Sequence, residues 1–458
     1  MDIKQLLDME AGAIDGMFKQ NKIYARVQRA KSIHGDPTSG FIRYALTLRP
    51  DQSFTAIEKI HRELSAVLTR QRQRMRLPAV QAMPVSEPMF GIEVQHPFPK
   101  ALHWSPRLLD TTPVHSMLLG RSYESGATNE VFSFDESVHC LVAGITGAGK
   151  SVLLQNMLLS LCHATSPDDL KIILVDLKNE DMVAFEHLPH IMTFAGTREQ
   201  AMDAIRFVVD EKDKRVAKRG YKPYRLVLWI DELAQLADNK EARQALGDLA
   251  SIGRSKMINL VGATQHPTEA GGLGTMLKAN FPLRLVGMVA NGQSHIATGR
   301  PKLHAELLPG KGAFLRIEGP HVVRFQSFMI DEASLKFGVS SVVQRWRKQK
   351  VKPGYAISTV ADTAGYEADI STDMNGYAQP YTSENGSPAH GGYNTLFPIR
   401  AGRPLNATEA QAVRRLAESG EFDSGDGFSL RRLTVHVYGS RDPKRTQWIK
   451  EALEKVSV

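Results

Sequence analysis

An α/β fold with a parallel sheet is predicted by three observations. Five near-continuous apolar runs lie between residues 138 and 340, helical patterns separate most of them, and a glycine-rich turn joins the first run to a helix. The runs are 140–143, 172–175, 226–230, 260–263 and 283–289. Val, Ile and Leu dominate them, as in strands covered on both faces.

The other regions read differently. Residues 3–18 and 54–68 carry helical apolar spacing, with Ile57, Ile60, Leu64 and Leu68 on one face of the second. Residues 24–27, 41–48 and 91–94 read as short strands, so an N-terminal α+β domain is expected over 1–137. The α/β core is expected over 138–345. Residues 351–392 are rich in Gly, Ser, Thr, Asn and Pro with no sustained period, so a flexible linker is expected over 346–395. Residues 396–458 return to helical patterning as a C-terminal domain.

The strongest local signal is Gly144-Ile145-Thr146-Gly147-Ala148-Gly149-Lys150-Ser151, which fits the phosphate-binding P-loop pattern between an apolar strand and an apolar helix. Glycines let backbone N–H groups curl around phosphate oxygens without a Cβ clash, and the helix N-terminus through Val152 adds positive potential. Lys150 is placed to reach the β and γ phosphates and Ser151 to hold Mg²⁺. A second run, residues 225–230 followed by Asp231-Glu232, is an apolar strand ending in two acids. Asp231 would hold Mg²⁺ and Glu232 would orient or deprotonate an attacking water. A third strand ends at Gln265, a candidate sensor of the γ-phosphate and the lytic water. ATP and Mg²⁺ are the cofactors expected.

Composition narrows the class. The 458 residues are 42% hydrophobic and 23% charged, ordinary for a chain with a sizeable core, and the net charge of +8 favours a polyanionic partner. Cys140 and Cys162 sit in apolar stretches outside any zinc spacing, so they read as small hydrophobes in a reducing cytoplasm. His187 and His190 bracket Leu188-Pro189 and read as a loop rather than a metal site. No signal peptide is visible, and no stretch approaches the roughly 20 apolar residues that span a bilayer. A partner would have to bring the chain to a membrane or capsid.

Taken together, LVAGITGAGKSVLLQNMLLSL, KIILVDLK, LVLWIDELAQL, IGRSKMINLVGATQHP and LKANFPLRL resemble the FtsK/SpoIIIE family of DNA translocases, in the family's order. The match covers at least residues 138–330. The resemblance implies a RecA-like motor domain, assembled as a hexameric ring around double-stranded DNA, with ATP between neighbouring subunits. Arg254 matches the family's trans-acting arginine finger, and Lys311 a basic residue in a loop near the nucleotide. Lys278 falls in one pore loop and Gln293 and His295 in another, where family members often carry Lys and Arg. His266 stands where the family usually has Arg. The absence of a membrane segment fits a soluble relative, from a mobile element or phage.

The C-terminal domain resembles the family's winged-helix module that reads orienting DNA sequences. A helix pattern at 408–419, the run beginning at Phe428, the turn 439–443 and a basic second helix suit major-groove docking. Its candidate DNA contacts are Arg431, Arg441, Lys444, Arg445 and Gln447. Three functions remain in view: a hexameric double-stranded DNA translocase, a conjugation- or packaging-type DNA-pumping ring, and a DNA-binding regulator switched by nucleotide. Glu232 and Arg254 argue against the last, since a switch needs neither a water-activating base nor a finger.

Overall fold

In the computed structural model, residues 3–29, 32, 36–86, 89–123, 127–218, 221, 223–236, 238–265, 267 and 280–348 are described, with two short strands at 423–424 and 427–428. The chain divides into two compact units, Met1–Val351 and Lys352–Val458.

The first unit opens with a small α+β module. Helix α1 (Ile3–Gln20) buries Leu6, Leu7, Ala11, Ile14 and Phe18, the apolar spacing read in the sequence. The segment expected as one helix from 54 to 68 is two, α2 (Thr55–Lys59) and α3 (His61–Arg74). The break falls at Ile60, whose φ of −100° and ψ of 11° depart from helical values. Strands β1 (Ala25–Val27), β2 (Phe41–Leu48), β3 (Met83–Val85) and β4 (Gly91–Gln95) form an antiparallel sheet in the order β1-β2-β4-β3. Beneath it Glu10 is fully buried. The Arg72 guanidinium donates to one of its oxygens from Nε at 2.5 Å, and the Tyr44 hydroxyl donates to the other. A buried carboxylate is tolerable only with its lone pairs satisfied in this way.

After a short helix α4 (Arg107–Asp110), the main sheet begins. Its strands are β5 (Ser116–Ser122), β6 (Thr128–Ser133), β7 (His139–Ala143), β8 (Leu170–Val175), β9 (Ile191–Ala195), β10 (Arg225–Ile230), β11 (Ile258–Thr264), β12 (Leu283–Val286), β13 (Ala313–Glu318) and β14 (His321–Ser327). They form one ten-stranded sheet in the order β6-β5-β14-β13-β12-β7-β11-β10-β8-β9. The six strands from β12 to β9 pair in parallel, and the four from β13 to β6 extend the sheet antiparallel. The sheet therefore recruits β5 and β6 from upstream of residue 138, where the domain boundary was expected, because β5 pairs with β14.

The apolar runs are buried on both faces, and period-two alternation sorts them. On β10, Val227 and Trp229 face one core while Leu226, Leu228 and Ile230 face the other. β8 divides the same way, with Ile172 and Leu174 opposite Ile173 and Val175. Helices α5 (Lys150–Ala164) and α9 (Glu332–Lys348) cover the first face, with Leu153, Met157, Leu158, Val342 and Trp346 in its core. Helices α6 (Arg198–Ala217) and α7 (Lys240–Lys256) cover the second, with Ile205, Val208, Leu246 and Leu249. This is a P-loop, RecA-like α/β core. A short helix α8 (Ser294–Thr298) follows β12, which stops at Val286, three residues before the expected end of that run.

Cys140 and Cys162 are fully buried and free, and burial pushes both thiols up. Among the described residues no helix is long and apolar enough to cross a membrane. In the second unit, β15 (Asp423–Ser424) pairs antiparallel with β16 (Gly427–Phe428).

His190 is fully buried, and its Nε2–H donates to the Thr165 carbonyl at 2.8 Å. His187 beside it is exposed, on the loop after the short 3-10 turn at Val183–Phe185. Burial lowers the His190 pKa from 6.5 to about 4. The unfolded chain therefore takes up a proton below pH 6.5 that the folded chain refuses, and stability falls as pH drops from 6.5 toward 4. Between pH 7.5 and pH 5 this one imidazole is expected to remove about 2 kcal/mol. Chemical denaturation at both pH values should show a correspondingly smaller loss in His190→Asn than in the parent. Equal losses would mean that His190 is protonated in the folded chain.

Candidate nucleotide-binding site

The glycine-rich turn lies where β7 ends and α5 begins. The backbone needs left-handed residues at Gly147 (φ 84°) and Gly149 (φ 96°) to bring the chain round. A Cβ on Gly149 would lie 2.6 Å from the Gly312 nitrogen, so glycine there is a packing requirement as well. The turn is held from three sides. The Gly144 N–H donates to the Thr264 carbonyl of β11 at 3.2 Å, and the Ile145 N–H to the Met288 carbonyl after β12 at 2.9 Å. The Lys311 and Gly312 N–H groups donate to the Gly147 and Ala148 carbonyls at 2.9 and 2.8 Å. Thr146 and Gly147 stay exposed at the tip, Ala148 is buried, and Val152 packs against the core under α5.

Lys150 is the first residue of α5 and only 5% exposed. Its ammonium donates to Asp231 Oδ1 at 3.0 Å and to the Asp231 carbonyl at 3.1 Å. Asp231 is 1% exposed and sits one residue past β10, where its N–H still donates to the Val175 carbonyl at 3.0 Å. Burial holds its carboxyl above the usual carboxylate range against the pull of Lys150, and the charges of Asp181 and Asp176 add to the rise. Its second oxygen, Oδ2, is buried with no hydrogen-bond partner among the described residues.

Glu232 is 7% exposed, and the backbone N–H of Gln265 at the tip of β11 donates to both its carboxylate oxygens at 3.2 Å. The sheet order puts β11 between the P-loop strand β7 and the acid-bearing strand β10, so the three tips converge. Gln265 thus meets Glu232 through its backbone, and its side chain is half-buried.

Two residues not singled out in the sequence complete the site. Ser151 Oγ donates to Asp181 Oδ2 at 2.6 Å. Asp176, fully buried one residue after β8, accepts backbone N–H bonds from Lys178, Asn179, Glu180 and Met182, all at 3.0–3.1 Å. An acid closing an apolar strand, as Asp231 does after β10, was the available signal for Asp176. Asp181 lies in irregular chain and carried none.

Mg²⁺ fits this donor set. Asp231 Oδ2 is partnerless among the described residues, and Ser151 Oγ keeps two lone pairs after donating its hydrogen bond. Hard oxygen donors of this kind, completed by phosphate oxygens and water, are what Mg²⁺ takes.

The remaining expected residues lie around this centre or outside the described chain. Lys311 is exposed, with φ 51° between Gly310 and Gly312, on the turn that clamps the P-loop. Gln293 precedes α8 half-buried, its side-chain oxygen turned inward, and His295 is exposed. Arg254 falls within α7, and its side chain lies outside the described residues. So do Lys278, His266, Arg431, Arg441, Lys444, Arg445 and Gln447.

Comparison with known proteins finds the following likenesses. The FtsK/SpoIIIE family pattern matches residues 112–219. DNA translocase FtsK of Borreliella burgdorferi is 33% identical over 251 residues, which is 47% of this chain and 31% of that protein. DNA translocase FtsK of Mycobacterium leprae is 26% identical over 405 residues, 80% of this chain and 46% of that protein. The chain thus spans roughly a third to a half of these relatives' length. Among solved structures, the pCW3 conjugation coupling protein TcpA, a monomer with ATPγS, aligns at a TM-score of 0.49 and 21% identity, covering 74% of this chain and 99% of that one. EssC (ATPases 2 and 3) of Geobacillus thermodenitrificans aligns at 0.49 and 17%, covering 57% and 54%. The stretch matching the FtsK/SpoIIIE family pattern is the one that folds into the phosphate cradle, α5 and the strand bearing Asp176, so the chain is similar to that family in these working parts.

Proposed function

We propose that the protein is an ATP-dependent double-stranded DNA translocase working as a hexameric ring in the cytoplasm. The observation that carries the ATPase part is the convergence of Lys150, Asp231 and Glu232 past the tips of β7 and β10, on either side of β11, two of them joined and all three at or below 7% exposure. The DNA part rests on the likeness to the FtsK/SpoIIIE family and on relatives named DNA translocase.

In this reading, the triphosphate lies against the backbone N–H groups of 146–151 at the positive end of α5. Lys150 leaves Asp231 for the β and γ phosphates, exchanging one anion for another in a buried place. Mg²⁺, when bound, supplies charge neutralisation at the phosphate oxygens, with Ser151 and Asp231 as its protein ligands. Glu232 accepts a proton from the attacking water, and Gln265 holds Glu232 in place. Arg254 of a neighbouring subunit would stabilise charge on the transferred phosphoryl group. Lys311 stands on the turn touching Gly147 and adds a cation near the phosphates. Lys278, Gln293 and His295 would face DNA in the pore. With few formal charges there, the salt dependence of DNA binding would be shallow. Arg431, Arg441, Lys444, Arg445 and Gln447 would read the duplex from the C-terminal domain.

ATP turnover with and without long duplex DNA tests the whole reading. Strong stimulation is expected, whereas slow turnover unaffected by DNA would point to a nucleotide switch. Lys150→Ala should lose nucleotide binding. Glu232→Gln should retain ATP while turnover falls by two orders of magnitude or so, the usual worth of a general base. Wild-type turnover in Glu232→Gln would remove that assignment.

Arg254→Ala should be inactive alone and regain turnover when mixed with Lys150→Ala subunits, which bind no ATP but supply the arginine. Failure of every mixing ratio to restore turnover would count against a finger acting between subunits. Deleting residues 393–458 should leave DNA-stimulated turnover largely intact and erase any preference among duplex sequences. Unchanged preference after deletion would move DNA reading elsewhere.

A further inference from the structure

We propose that Asp181 is a positioning residue for the metal: it accepts the hydrogen bond of the Ser151 hydroxyl, leaving that oxygen's lone pairs to face Mg²⁺, and Asp176 holds it there. The inference rests on the nucleotide-site reading above.

A serine hydroxyl has one proton and two lone pairs. To ligate a cation it must direct that proton away, and a rotating hydroxyl with no acceptor has no preferred direction. Here Ser151 Oγ donates to Asp181 Oδ2 at 2.6 Å, the length of a charge-assisted bond. The acceptor is fixed from two sides. Gln155, one turn along α5 from Ser151, donates from Nε2 to the Asp181 carbonyl at 2.9 Å. Asp176 gathers the N–H groups of Lys178, Asn179, Glu180 and Met182, which sets the turn on which Asp181 stands. Asp176 is 0% exposed and its carboxylate is consumed by those bonds, so it orders the turn and is not itself a metal ligand.

A second observation points to a cation at this place. Asp231 Oδ2 is buried without a partner among the described residues, and Asp181 lies near enough for its charge to act on Asp231. A protein that left this oxygen bare and crowded two further acids around it would lose stability unless something positive completed the group. Lys150 satisfies only Oδ1 and leaves for the phosphates when nucleotide binds. Outer partners that orient metal ligands typically contribute on the order of 10–100-fold in metal affinity.

The test measures binding of a fluorescent ATP analogue to the full chain, in EDTA and across a Mg²⁺ titration. Asp181→Ala should raise the Mg²⁺ needed for half-maximal tight binding by roughly 10–100-fold and leave affinity in EDTA unchanged. Asp181→Asn, which keeps an acceptor oxygen, should fall between Asp181→Ala and the parent. Asp181→Ala combined with Ser151→Ala should need no more Mg²⁺ than Ser151→Ala alone, because the two act as one unit. An unchanged Mg²⁺ requirement, additive single effects, or equal weakening with and without Mg²⁺ would each overturn the proposal while leaving the nucleotide site standing. A parent chain that binds no nucleotide at all would instead overturn the reading of the site, and this inference with it.

Discussion

The Lys150–Asp231 contact is the constraint around which the site is organised. Both groups are nearly fully enclosed, at 5% and 1% exposure, and taking an ammonium and a carboxylate out of water costs several kcal/mol for each ion. Such a pair survives only with close geometry and supporting bonds, here 3.0 Å to the carboxylate and 3.1 Å to the Asp231 carbonyl. Its consequence is positional. Lys150 starts the helix after β7 and Asp231 ends β10, so the pair reaches across the tip of β11 and ties the cradle to the strand beyond. Without nucleotide the protein is its own ligand, with Asp231 standing where phosphate oxygens would be. Binding then exchanges anions around one buried cation, which avoids the larger cost of an uncompensated charge.

That exchange explains why the acids are divided between strand ends. In the proposed function Asp231 would alternate between Lys150 and the metal, which fits its second oxygen accepting nothing from Lys150. Glu232 is aimed by the Gln265 N–H, which donates to both of its carboxylate oxygens. Asp176 does neither and orders the turn carrying Asp181. Three acids placed one or two residues past parallel strands have separate work because the surrounding N–H groups differ.

How far the sequence disclosed this follows from what each feature depends on. The P-loop, the acid pair after β10 and the tip at Gln265 depend on local pattern, and all three lie at converging strand ends. Strands β7, β8, β10 and β11 were visible because burial on both faces leaves a continuous Val, Ile and Leu run. β9 was not: four of its five residues are only partly buried at the sheet edge, so its composition is mixed. β13 and β14 were missed because they interleave polar residues such as Arg316, Arg324 and Gln326 with apolar ones. β5 belongs to the motor sheet only through its pairing with β14, about 200 residues away, and no local pattern records such a partner. The Ser151–Asp181 bond was hidden for a similar reason, since a turn assembled by Asp176 brings those residues together.

The same antiparallel strands give the nucleotide site a physical connection to the N-terminal module. The turn before β13 donates two backbone bonds to the P-loop at Gly147 and Ala148, and β14 answers with the Ser327 N–H to the Gly312 carbonyl at 2.7 Å and Gln326 Nε2 to the Lys311 carbonyl at 2.7 Å. Two residues before Gln326, Arg324 meets Glu93 of β4 at 3.2 Å, and Arg43 of β2 holds the same carboxylate, all three side chains at or below 3% exposure. Proximity alone does not establish coupling. The glycines, however, show how little slack the first step has. A Cβ on Gly310 would come within 3.0 Å of the Gly147 carbonyl, and one on Gly149 within 2.6 Å of the Gly312 nitrogen. Backbones packed that closely cannot slide past each other, so a movement of the P-loop toward or away from β13 has to be taken up by the turn at 310–312. That turn is three consecutive residues at positive φ, with Lys311 the one side chain on it. A side chain held in that strained conformation, exposed beside the cradle, is well placed to gain from a phosphate charge what its backbone costs.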